Sequence, residues 1–123
     1  MEKDVLAKII GFLFMSRTAA HMSHLQVTGP ASFARHKALN EFYDEIVDMT
    51  DSLAETAQGK FGILDIPYMD LKGDVSDPIG LMETHLTMVE NLGKKCENRA
   101  LQNIFDEIVA LYMKTLYLLK NLE

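Results

Sequence analysis

From Ser32 to Gln58 the chain runs without a proline or a glycine, and so long an unbroken stretch is best accommodated as one helix. The spacing predicts about seven turns at 3.6 residues per turn, with Ser32 as the N-cap and Gly59 as the stop. Leu39, Phe42, Ile46, Met49, Leu53 and Ala57 recur at helical spacing and mark a core face. Glu41, Glu45, Asp48 and Ser52 are left to the outward face. A helix this long and this one-sided must bury its stripe against other helices.

The remaining sequence supplies three. The run from Val5 to Ala20 places Leu6, Ile9, Ile10, Leu13 and Phe14 on one face, and this first helix is expected to end near Val27. Glu2 and Asp4 precede the apolar run and Lys8 interrupts it, so a core helix fits it better than a signal peptide or a membrane span. Asp77 and Pro78 form a helix start and Gly93 an end, with Ile79, Met82, Leu86, Val89 and Leu92 facing inward. A fourth helix is expected from about Asn98 to Leu122, burying Leu101, Ile104, Phe105, Ile108, Tyr112, Leu116 and Leu119. Between the second and third lies KFGILDIPYMDLKGDVS, too long for a turn. It can reach roughly 55 Å when extended, enough to cross a helix about 40 Å long. Its apolar residues Phe61, Ile63, Leu64, Ile66, Tyr68 and Met69 imply packing against something, a subunit contact among the candidates. The expected fold is all-α, a four-helix bundle with one long crossover.

Composition agrees with one domain over residues 1–123, at 48% hydrophobic with three prolines. The lone Cys96 excludes an internal disulfide framework and fits a reducing, cytoplasmic compartment. A net charge of −6 and the absence of a basic N-terminal tail speak against nucleic acid. No nucleophile elbow, P-loop, dinucleotide glycine motif or cysteine zinc pattern is present, which leaves hydrolase, kinase and dehydrogenase readings without residues. The eight methionines are scattered, as core filler would be. His85 lacks a Glu-x-x-His partner and reads as structural.

One set of polar residues stands out: His24, His36, Asn40, Asp51 and Glu55. Asn40, Asp51 and Glu55 share a flank of the second helix with His36. Imidazole and carboxylate together suit iron, zinc or manganese. Yet His36 and Asp51 lie roughly 22 Å apart along the axis, at about 1.5 Å per residue, while ligand bonds are only about 2 Å long. Either the residues are unrelated, or a second copy lies antiparallel and brings its Asp51 and Glu55 to the first copy's His36, making a two-fold dimer with two equivalent sites. Read singly, His36 is a hydrogen-bonded partner of Ser32 or Asn40, and Asp51 and Glu55 are ordinary surface carboxylates.

The run HMSHLQVTGPASFARHKALNEFYDEIVDMTDSLAE resembles the first two helices of the Dps proteins (DNA protection during starvation), which are ferritin-like, and NRALQNIFDEIVALYMKTLYLLKNLE is similar to their last helix. The resemblance covers most of the chain and is strongest over residues 15–57. It implies a ferritin-like bundle assembling through dimers into a shell, commonly of twelve. It also implies an iron site between subunits on His24, His36, Asn40, Asp51 and Glu55, oxidising Fe²⁺ and sequestering the mineral. By the same resemblance His24, Asp51 and Glu55 hold the tighter iron, and His36 and Asn40 the weaker. Asn40 stands where the family has Asp and brings no charge to a dication. Leu25 stands where a tryptophan is common, and the middle of the chain is short. The alternative expectation is a bundle without catalysis, virus-encoded, acting as an assembly or interaction protein, with or without a structural metal.

Overall fold

The computed structural model describes residues 2–122, so Met1 and Glu123 of the expected 1–123 domain lie outside it. It contains four helices and, among the described residues, no strand: α1 (Glu2–Gln26), α2 (Ser32–Phe61), α3 (Pro78–Gly93) and α4 (Arg99–Asn121). The all-α four-helix expectation therefore holds.

Local chemistry sets the helix ends. The Asp77 carboxylate accepts from the Gly80 N–H at 3.1 Å with Pro78 at the first helical position, and the Asn98 side chain accepts from the Leu101 N–H. Both are N-caps that satisfy an otherwise orphaned donor. The entry to α2 differs from expectation. Ala31, not Ser32, occupies the cap position, in the left-handed region at φ 64°, and makes no side-chain cap. The Thr-Gly-Pro-Ala turn has already closed through the Ser32 N–H to Gly29 O bond at 3.1 Å, which draws Ser32 into the first turn. At the other end α2 continues through Gly59, which has the ordinary helical sign of φ, and stops at Gly62, whose φ of 84° a side chain would resist.

Packing follows a ring. α1 lies against α2 and α3, and α4 lies against α2 and α3, so α1 faces α4 across one diagonal and α2 faces α3 across the other. One end of the bundle holds the α1–α2 turn, where His24 meets His36. The opposite end brings Glu2 and Lys60 within electrostatic range of Cys96. α2 and α3 thus run the same way, and residues 62–77 carry the chain back along the bundle. The path of this crossover is visible in its contacts: Pro67 and Met69 lie on Gly11 of α1, Gly73 lies on Leu81 of α3, and the Lys72 carbonyl accepts from His85.

The core is apolar and close to what periodicity predicts, with Leu6, Ile9, Ile10, Leu13, Leu39, Phe42, Ile46, Leu53, Met82, Val89, Ile108 and Tyr112 buried. Two corrections are instructive. Phe14 is exposed although its neighbour Leu13 is fully buried, because it lies on the side of α1 that faces the groove beneath Ile66–Leu71 rather than on the core side. Ile63 and Tyr68 are exposed as well, so only part of the crossover's apolar content packs inward, chiefly Leu64 and Met69. By length and composition alone α1 is apolar enough to cross a bilayer. Most of that window is buried within the bundle, as in a core helix.

Candidate functional site

The αα-hairpin brings His24 and His36 together. His24 Nδ1 lies 2.7 Å from the His36 carbonyl oxygen, and His36 Nδ1 lies 2.9 Å from the His24 carbonyl oxygen. A carbonyl only accepts, so each Nδ1 carries the proton and donates. The rings stack with centroids 3.5 Å apart. This reciprocal pair satisfies one of the last free carbonyls of α1, and so does the work of a C-cap while clasping two helices. Beside it His21 stacks on Tyr43 at 4.1 Å, and His24 meets the same ring edge-on. The Tyr43 hydroxyl donates to Asn40 Oδ1 at 2.5 Å, and Asn40 Nδ2 donates to Asp44 at 3.2 Å. The amide oxygen that would face a metal is therefore engaged by a phenol.

Asp51 and Glu55 are not part of this cluster. They are exposed, and they lie about four turns down α2. Within one protomer the five residues do not fit a metal: two imidazoles sit at one end of the hairpin and two carboxylates near the other. Among the described residues no group of three or more His, Cys, Asp or Glu side chains is placed to hold an ion.

Sequence reasoning missed a second polar group inside the bundle. Tyr112 of α4 donates its hydroxyl to Ser16 Oγ of α1 at 2.5 Å. Ser16 Oγ lies 2.7 Å from His85 Nδ1 of α3, and His85 Nε2 lies 2.8 Å from the Lys72 carbonyl oxygen of the crossover. Since Lys72 O must accept, His85 is protonated on Nε2, its Nδ1 accepts, and Ser16 donates. The chain of donors runs one way with every member satisfied. Burial lowers the His85 pKa from the usual 6.5, against a smaller opposing pull from Lys72 O. Burial also pushes the Tyr112 phenol up. A hydroxyl bonded to an imidazole has the form of a nucleophile with its base. Ser16 and His85 are each 0% exposed, however, and no substrate reaches them. The group ties three helices and the crossover together. His85 at least was visible as structural, but its partners are 69 and 13 residues away and no local spacing reveals them.

A concavity lies elsewhere, on the outer side of α1. Gly11, Phe14, Met15 and Thr18 of α1 and Ile66–Leu71 of the crossover enclose about 510 Å³. Tyr68 on its rim is 98% exposed, and Phe14, Met22, Leu25, Ile66 and Leu71 add further exposed apolar surface on the same helix and loop.

No solved structure matches the chain. It is 26% identical over 111 residues to an uncharacterized 14.6 kDa protein of the mobD-ri intergenic region of Enterobacteria phage T4, a match covering 89% of this chain and 84% of that protein. These findings correct the Dps resemblance. The histidines and the turn that carried it form a helical hairpin with a histidine clasp, the two carboxylates lie apart from it on α2, and the family model that fits the chain is a different one. That model matches residues 24–119, and the chain belongs to the family of unknown function DUF5856.

Proposed function

We propose that this chain is a non-catalytic interaction protein, virus-encoded like its phage T4 relative, and that it docks through the outer face of α1 and the crossover. The observation that carries this reading is the position of Tyr68, 98% exposed at the lip of an apolar groove that Phe14, Ile66 and Leu71 extend. Single exposed apolar residues are ordinary, but a contiguous group around a concavity marks a contact surface. Chemistry has few footholds by comparison. The Ser16–His85 pair is sealed, and Cys96 is buried with its thiol pKa raised by burial, the reverse of an activated nucleophile. The likeness to a phage protein supports the viral origin.

A photo-crosslinking residue at position 68, compared with one at the exposed Glu90 of α3, tests the reading in cells. Specific products at 68, absent at 90, are expected. Aerobic Fe²⁺ oxidation should match buffer for the wild type and for Asp51→Ala/Glu55→Ala alike. No crosslink above the control, or oxidation that the double variant loses, would overturn it.

A further inference from the structure

Resting on that interaction reading, we propose that the α1–crossover groove of one copy takes the outward Met113–Tyr117 face of α4 from a second copy, so that the chain associates head to tail.

The groove has an apolar floor and an acidic lip. Residues 62–77 carry four aspartates against one lysine. Asp70 lines the groove, Asp65 is exposed beside it, and neither has a cation within ion-pairing distance among the described residues. The volume of about 510 Å³ falls in the range of roughly 300–1,000 Å³ over which pockets enclose a compact group of atoms. Its occupant should therefore be a short apolar projection with a positive charge next to it.

The outward face of α4 has that form. Met113 and Tyr117 are 52% and 59% exposed and one helical turn apart, so they project side by side. Lys114 lies between them and has no carboxylate within ion-pairing distance among the described residues, whereas Lys120 is already held by Glu83 at 3.0 Å. Lys114 is thus a cation beside the apolar pair with no ion-pair partner among the described residues, although Glu45 and Glu107 line the same shallow groove. A helix laid in a groove through anchors four residues apart is a recurrent mode of recognition.

The ring order decides the geometry. α1 and α4 occupy one diagonal, so the groove and the Met113–Tyr117 face point to opposite sides of the bundle. One copy cannot use both on itself, and a contact between them repeats as a ring or an open chain rather than closing a two-fold pair. The competing two-fold arrangement, groove against groove, would set Asp65 and Asp70 of both copies against each other. Like charges at close range oppose it.

Sedimentation velocity from about 1 µM to about 1 mM, which brackets affinities of about −8 to −4 kcal/mol, tests the proposal with three proteins. The wild type should sediment faster as concentration rises, without a plateau at dimer. Tyr68→Asp spoils only the groove and Tyr117→Asp only the α4 face, and each should weaken association at least tenfold. Both side chains are more than half exposed, so unchanged melting curves should show that the variants fold. An equimolar mixture of the two restores one intact contact and should stop at a dimer. A monomeric wild type, a Tyr117→Asp that associates normally, or a mixture that stays monomeric would each overturn head-to-tail pairing. If position 68 still crosslinks to a different protein in cells, the interaction reading survives that loss; if it crosslinks to nothing, both fall.

Discussion

Two glycine-to-alanine substitutions should move stability in opposite directions. In a helix, alanine is favoured over glycine by about 1 kcal/mol. At Gly59 of α2 a new Cβ meets nothing within 4 Å, so Gly59→Ala should stabilise by up to about 1 kcal/mol. At Gly11 of α1 the same Cβ would lie 2.6 Å from the Pro67 carbonyl oxygen, 3.2 Å from Met69 Cγ and 3.3 Å from Pro67 Cγ. The nearest of these is backbone and cannot rotate aside, so the crossover must retreat. Overpacking of this kind costs about 1–3 kcal/mol, which outweighs the propensity gain. Gly11→Ala should therefore sit about 1–3 kcal/mol below Gly59→Ala. Near this chain length a kcal/mol is worth roughly 3–6 °C in Tm, so thermal melts and urea titrations resolve the difference. If Gly11→Ala stabilises as Gly59→Ala does, the crossover does not lie on α1, and the groove built from the two does not exist.

The buried network makes further predictions. Ser16→Ala strands the Tyr112 hydroxyl and His85 Nδ1 together, and each unsatisfied buried group costs about 1–3 kcal/mol. Tyr112→Phe removes one donor and leaves Ser16 bonded to His85, so it should cost about 1 kcal/mol, and urea unfolding checks that order. The His85 pKa is lowered in the fold by burial, so below the unfolded value of 6.5 the unfolded chain binds the extra proton. Stability should be full above about pH 6.5 and decline as pH falls from there towards the lower folded pKa. His85→Gln, which keeps a donor and an acceptor, should flatten that decline in urea titrations run between pH 5 and 8.

The helices were legible because their signals are local. Asp77-Pro78, Asn98, Gly93 and the periodic apolar residues each act within a turn or two, and the structure honours them. The entry to α2 was misread because Ser32 is a good capping residue by type, while the Ser32 N–H to Gly29 O bond closes the turn one residue early. A short turn between two helices must bring His24 near His36, so their pairing follows from the sequence once α1 and α2 are placed. The role of the pair does not, because the partners of both Nδ1 atoms are main-chain carbonyls, which every sequence has. The Ser16–His85–Tyr112 group was invisible for a related reason. A serine, a histidine and a tyrosine spread over three helices carry no spacing, and only the ring order brings them together.

That same order explains why the crossover is exposed as it is. With α2 and α3 diagonal and running the same way, no short turn can join them, and residues 62–77 must return along the outside of α1. The segment is anchored at three places, at Leu64, at Pro67 and Met69 on Gly11, and at the Lys72 carbonyl on His85. These anchors suffice to hold its course, so packing within the fold gives no reason for Tyr68 to be a tyrosine. A serine or lysine there would leave every anchor intact and cost no apolar exposure. The proposed docking surface would give the aromatic at position 68 a role that packing within the single chain does not.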